Sequence, residues 1–355
     1  MYIVLAIIAF SILIAIHEIG HFVAAKLLKV RVNEFAIGMG PKLLKKQGKE
    51  TLYSVRALPF GGFCAMEGQD EDSPDPRAFT SQKRWRRVII LFAGSAANII
   101  AAFIMLVILS SGVTDLNGTL ITELVEGFPG KGEQGLMVGD TIHSINGERL
   151  YYSEDFLMFM GIVEGRGDKN VDLVIRRDGE KITLKNFPLE RRDYVENGVT
   201  RFRFGLTFAP IEPTAFEQFK YAIYRTYNFV RLIRVSIAQL ISGAAGIRDL
   251  SGPIGIVDAM SSIGRDSPTI IAALGNIAFF TAFIGVNLAV MNMLPIPALD
   301  GGRILLVVIS WVIEKIIRRR LDPKYEGYIH AGAMVLLFGL MIFILANDVV
   351  KLVYG

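Results

Sequence analysis

The chain has 355 residues, a formal charge of +4 and 52% hydrophobic residues, with a mean hydropathy of +0.43. So apolar a composition exceeds what one soluble core buries and puts the chain in the membrane class. The charge is small, and Lys and Arg gather in two loops and not along an aromatic-lined groove, so nucleic-acid binding has no support.

The first apolar run covers residues 2–28. It follows Met1 with no basic n-region and no Ala-x-Ala cleavage site, and is expected to stay as a membrane helix. Inside it lies His17-Glu18-Ile19-Gly20-His21. Two imidazoles four residues apart project from one face of a helix and can share one Zn²⁺, with Glu18 beside them as a candidate base. Ionisable groups in a spanning helix are costly. The alternative, that these three residues satisfy one another without a metal, leaves that cost largely standing.

Short apolar strands punctuated by Gly38, Gly40, Pro41, Gly61 and Gly62 follow. Cys64, the one cysteine, excludes an internal disulfide. With no His beside it in sequence, it reads as a small packed residue and not as a catalytic thiol. A second apolar run covers 88–111, and further runs cover 270–294 and 330–353. Each is long enough to cross the hydrocarbon, which takes about 20 residues.

Orientation follows from the flanking charges. Lys26, Lys29, Arg31, Lys42, Lys45, Lys46, Lys49, Lys83, Arg84, Arg86 and Arg87 separate the first two spans, and Arg318, Arg319, Arg320 and Lys324 the last two. Both loops are therefore expected in the cytoplasm, and the termini and the segment 113–268 outside.

In that outer segment, Val171–Ile175 and Lys181–Leu184 alternate as strands around a turn at Arg177-Asp178-Gly179-Glu180. Beyond Pro213 the residues Phe216, Phe219, Ile223, Tyr227, Val230, Ile233, Ile237 and Leu240 step by three and four, interrupted by Lys220, Arg225, Arg231 and Arg234. This predicts an amphipathic helix on the membrane surface or on the catalytic core, not a fifth crossing.

Two imidazoles leave a catalytic zinc one protein ligand short. Asp300 is the candidate, just past the cytoplasmic end of the third span in a Pro- and Gly-broken stretch, Leu294-Pro295-Ile296-Pro297-Ala298-Leu299-Asp300-Gly301-Gly302. An ordinary N-cap of the next helix is the competing role for Asp300. His143 and His330 read as surface or interfacial residues.

His-Glu-x-x-His in the first span, Leu-Asp-Gly at Asp300, Gly135–Gly147 in the outer segment and Ser251-Gly252-Pro253-Ile254-Gly255-Ile256 before the third span together resemble the site-two proteases. The likeness, to the bacterial regulator-of-sigma-E protease type, extends over essentially the full length. The resemblance implies an intramembrane zinc endopeptidase with metal ligands His17, His21 and Asp300 and with Glu18 as catalytic acid/base. Its implied substrates are single-span membrane proteins such as anti-sigma factors, and leftover signal peptides, met within the lipid bilayer of the cell membrane.

The resemblance also implies a membrane re-entrant β-hairpin over 35–63, against which a substrate strand could add beside Gly61 and Gly62, and substrate contacts at Asn287 and Asn292. Both asparagines also suit helix-packing hydrogen bonds. Departures are Ser95, where the family commonly has Pro after Gly94, and Pro129–Gln134, which lacks the usual small-residue approach to Gly135–Gly147, the stretch that resembles the core motif of a PDZ domain.

The expected fold is a polytopic α-helical membrane protein with four transmembrane helices, a re-entrant β-hairpin and an inserted β-rich PDZ-like domain. Its divisions are 1–112, first half of the membrane core, with the re-entrant loop at 33–66; 113–210, the PDZ-like domain; 211–268, the amphipathic and linker region; and 269–355, second half of the core. A transporter would show internal repeats and paired broken helices, which the sequence lacks; a PDZ scaffold would leave the intramembrane polar cluster unexplained.

Overall fold

The computed structural model describes residues 1–69, 73–196, 199–244, 246, 252–318 and 324–354. Ser251, Arg319 and Arg320, and the side chains of Lys324 and His330, lie outside the described residues. Among the described residues, four helices are long and apolar enough to cross a membrane: α1 (Tyr2–Leu27), α2 (Arg84–Ser110), α6 (Ile270–Asn292) and the stretch Gly332–Val350 of α8 (Lys324–Tyr354). The chain is thus a multi-pass membrane protein with β-sheets added. It divides into two compact units, 1–109 with 229–355, and 110–228.

In the first unit, strands β1 (Val32–Gln47) and β2 (Leu52–Met66) form an antiparallel pair bent back on itself. Ala36 pairs with both Phe63 and Ser54, so residues 34–37 are flanked on both sides by β2. The simple hairpin expected from sequence is therefore a more compact sheet, folded at Gly38, Gly40 and Gly61, which take φ of 85°, 83° and 84° where a side chain would be strained.

Ion pairs brace this sheet. Glu50 accepts hydrogen bonds from Lys26 Nζ at 2.7 Å and Arg77 Nη1 at 2.6 Å, and these hold its carboxyl at about 2. Burial alone would raise Glu34, yet bonds from Ser54, Lys42 and Arg56 hold it too at about 2. Both lie below the ordinary carboxylate value of 4.5, so their stabilisation is complete above that pH and fades as pH falls toward 2. Amide hydrogen exchange followed from pH 6 to pH 3 is expected to show residues 34–56 losing protection below about pH 4.5, with α2 unaffected. Each pair is partly exposed, so the effect per pair is modest, about 1 kcal/mol or less.

Cys64 is buried in the cluster of Ala25, Val32, Phe35, Phe79 and Ile90. Burial, and then the Glu18 charge, push its thiol up to about 12. A thiol that resists ionisation is neither nucleophile nor thiolate ligand, as its place in the sequence suggested.

Helix α5 (Pro253–Asp266) precedes α6. Its N-terminal amides are met by Asp348 of α8, whose carboxylate accepts from Gly252 N at 3.1 Å and Gly255 N at 3.0 Å. A carboxylate at a helix N-terminus satisfies orphan donors and the positive end of the dipole. Gly252 leaves room for it, since a Cβ there would sit 2.7 Å from Asp348 Oδ2. Asp348→Ala, which strands two amides beside a residue 2% exposed, is expected to cost about 2 kcal/mol. A lowered unfolding temperature in detergent, partly recovered by Asp348→Asn, would register it.

The second unit holds a sheet of order β10-β3-β4-β6-β7, with β5 paired to β4. Its strands are β3 (Leu116–Leu124), β4 (Thr141–Ile145), β5 (Glu148–Arg149), β6 (Asn170–Arg177), β7 (Glu180–Pro188) and β10 (Leu206–Ile211). The β6–β7 turn has positive φ at Asp178 (50°) and Gly179 (88°), the geometry that favours Asp-Gly in tight hairpins. Helix α3 (Ser153–Gly165) lays Phe156 and Met160 on Ile121, Ile142, Leu173 and Ile175 to make the core.

Arg177 clamps the 133–140 loop, binding both carboxylate oxygens of Asp140 at 2.7 Å and the carbonyls of Glu133 and Gly135. His143 lies on β4. A separate hairpin, β8 (Arg192–Glu196) with β9 (Val199–Arg203), was not foreseen from sequence. Helix α4 (Ala215–Ser242) has the expected length, but Phe216, Phe219, Ile223 and Tyr227 are exposed while Tyr221, Ala222, Phe229 and Ile233 are buried. Its apolar residues therefore serve two faces.

Candidate metal centre

Helix α1 carries His17 and His21 one turn apart, buried, with their rings edge-to-face at 4.7 Å between centroids. His21 Nδ1 lies 2.8 Å from the Ile90 carbonyl of α2. A carbonyl can only accept, so the His21 proton sits on Nδ1 and its Nε2 presents a lone pair.

Asp300 reaches the same point from the other half of the chain. After α6 the backbone turns through Met293 to Leu299, with Ala298 at φ 84°, and Leu299 is the N-cap of α7 (Asp300–Ile317). Asp300 is therefore the first helical residue and not the cap. Gly301 and Gly302 make this possible: a Cβ on either would lie 2.2 or 2.1 Å from the carbonyl oxygens of Met293 or Ile296. Only glycines let α7 begin that close to the preceding loop. Arg84, at the start of α2, pairs with Glu314 farther along α7.

The outcome is a triangle of donor atoms. His17 Nε2 and His21 Nε2 are 3.2 Å apart, and Asp300 Oδ2 lies 3.1 Å and 3.2 Å from them. A tetrahedral zinc with ligands about 2.0–2.1 Å away has edges of about 3.3 Å, so the spacing suits that ion. Asp300 Oδ2 is buried with no hydrogen-bond partner among the described residues. Two imidazoles and an orphaned carboxylate oxygen converging in this way fit a cation between them. These three are the one His, Cys, Asp or Glu group with metal-ligand spacing among the described residues.

Glu18 lines the same cavity of about 520 Å³, which is also walled by Ile14, Phe63, Cys64, Met66, Leu288 and Asn292. Gly62 lies against it, since a Cβ there would be 3.3 Å from Glu18 Cγ. Asn292 Nδ2 stands 3.4 Å from His17 Nε2. Gly61 packs on Met39, and Asn287 is half-buried on α6; neither belongs to the cavity lining.

The structure adds two residues to which the sequence assigned no role at the site. Gly94 of α2 faces both imidazoles, and a Cβ on it would lie 2.4 Å from His21 Nε2 and 2.7 Å from His17 Cε1. Asn98, fully buried one turn later, places its amide 3.5 Å from His17 Nδ1. Their signal in the sequence was a four-residue spacing of glycine and asparagine on an apolar helix, which also suits plain helix packing.

Two histidines, a glutamate and an aspartate thus gather inside a multi-pass helical framework, a set that fits a membrane metalloprotease. The chain belongs to peptidase family M50, the site-two protease family, whose model matches residues 5–340. Proteins named "Putative zinc metalloprotease" are similar over nearly the whole length. One from Clostridium acetobutylicum is 36% identical, covering 98% of this chain and 97% of the relative; one from Clostridium perfringens is 33% identical, covering 99% of each. Regulator of sigma-W protease RasP of Bacillus subtilis is 27% identical, covering 98% of this chain and 97% of that protein.

Proposed function

We propose that the protein is an intramembrane zinc endopeptidase that cuts the membrane-spanning segments of single-span proteins. The observation that carries this reading is the donor triangle of His17, His21 and Asp300, opening with Glu18 into a cavity lined in part by α1, a helix long enough to span a bilayer. An ion held there supplies Lewis-acid activation of one water and of the scissile carbonyl.

Glu18 then does the proton work. It takes the proton that the attacking water releases as the C–O bond forms, and returns it to the departing amine nitrogen as the C–N bond breaks. The substrate's carbonyl must first leave its helical hydrogen bond, so helix-breaking residues in the substrate favour cleavage. The edge of the folded β1–β2 sheet beside Glu18 is where an unwound substrate strand would add, with Asn292 next to it; Asn287 takes a place farther along the same path.

The basic residues between α1 and α2 support a cytoplasmic position for that loop, with the termini and the 113–210 PDZ-like domain outside, where it excludes substrates still bearing large outer domains. The relative named for sigma-W regulation supports anti-sigma-type membrane proteins as one substrate class, with leftover signal peptides as another.

The test uses purified full-length protein in detergent with a single-span substrate containing a helix-breaking residue. Cleavage is expected to stop on chelation and return with added zinc; cleavage indifferent to both would overturn the reading.

A further inference from the structure

Helix α2 presents a stripe spaced by four residues, Ile90, Gly94 and Asn98, to the two imidazoles of α1. The Ile90 carbonyl fixes His21 through Nδ1 at 2.8 Å, and Gly94 supplies the space both rings occupy. Asn98 occupies the matching place for His17, its amide 3.5 Å from Nδ1.

The chemistry decides which end of that amide faces the ring. With Nδ2 donating, His17 Nδ1 must accept, the ring proton moves to Nε2, and the lone pair aimed at His21 Nε2 and Asp300 Oδ2 is lost. In that orientation Asn98 Oδ1 is a buried acceptor with no hydrogen-bond partner among the described residues. The two ends of a carboxamide have nearly the same shape. Turned over, Oδ1 gains a donor in Nδ1–H and His17 Nε2 keeps its lone pair.

We infer that Asn98 is a positioning residue that accepts a hydrogen bond from His17 Nδ1–H and so fixes the imidazole tautomer whose Nε2 can hold zinc. One helix thus orients both histidines, with a backbone carbonyl for one and a side chain for the other. Partners of this kind raise ligand basicity and hold the ring in place, and their loss typically lowers metal affinity about 10–100-fold.

The inference rests on the zinc reading above, and the experiment separates the two. Zinc affinity of the full-length protein in detergent is measured by chelator competition for wild type, Asn98→Leu and Asn98→Asp, with apo-protein unfolding temperatures as a fold control. Asn98→Leu, with the same branched side-chain skeleton but unable to accept, is expected to bind about 10–100-fold more weakly. Asn98→Asp, which keeps the acceptor and removes the amide donor, is expected to escape that loss, since a carboxylate is a usual partner of a metal-ligating histidine.

Equal loss in both folded variants would mean that the amide nitrogen is what matters, and no loss in Asn98→Leu would mean that Asn98 does not act on His17; either overturns the inference. Nitrogen-15 NMR of ring-labelled apo wild type reads the tautomer directly and needs no variant to fold. A His17 proton on Nδ1 is expected, and one on Nε2 overturns the proposal. Wild type that binds no zinc would instead sink the underlying metal reading, with the tautomer still decided by NMR.

Discussion

Glu18→Gln is expected to lower the rate of peptide hydrolysis by on the order of 10²–10⁴-fold while the protein keeps its zinc. Gln has the shape and hydrogen-bonding reach of Glu but cannot take a proton from water at any working pH. Glu18 stands outside the donor triangle, which His17, His21 and Asp300 complete without it. Removing its basicity therefore leaves the ligands untouched and takes away only the proton carrier. The check is single-turnover cleavage of a single-span substrate, with zinc per chain measured on the same preparations. Equal rates in the two proteins would remove Glu18 from the chemistry, and loss of zinc would make it a ligand.

Gly94→Ala is the second change with a large expected effect, and it touches no ionisable group. One added methyl would meet His21 Nε2 at 2.4 Å and His17 Cε1 at 2.7 Å, well inside van der Waals contact. The rings are poorly placed to yield: His21 is tied through Nδ1 to Ile90, and both Nε2 atoms must stay within 3.2 Å of Asp300. Zinc affinity is expected to fall by at least about 100-fold, the upper end for disturbed ligand orientation, and cleavage with it. Ala favours a helix over Gly by about 1 kcal/mol, so zinc loss with an unchanged or raised unfolding temperature would locate the damage at the metal. Wild-type zinc affinity in Gly94→Ala would contradict the close packing of α2 on the histidines.

What the sequence made legible follows from cost. His17, Glu18 and His21 stand out because ionisable groups in an apolar span are expensive, and Asp300 because prolines and glycines break the chain beside it; the structure puts the donor atoms of His17, His21 and Asp300 within 3.2 Å of one another. The four spans were equally visible, since length and hydropathy are local properties.

Other features were hidden for physical reasons. Gly94 and Asn98 act through the space they leave and the hydrogen bond they offer across helices, and small or amide residues on an apolar helix give the same pattern when they only pack. Asp348 carried no signal in the sequence, because its partners, the amides of Gly252 and Gly255, are nearly a hundred residues away. The β1–β2 segment showed its glycines but not its double pairing, in which Ala36 meets both Phe63 and Ser54. Strand alternation specifies a face and not a partner.

The position of the cut tests the central claim most directly. Wild-type protein is incubated with a single-span substrate and the product ends are read by mass spectrometry. The account predicts new termini inside the apolar span, near its helix-breaking residue. Termini confined to the polar segments flanking the span would contradict it, because a catalytic centre held within α1 and at the start of α7 would then be acting on bonds outside the membrane.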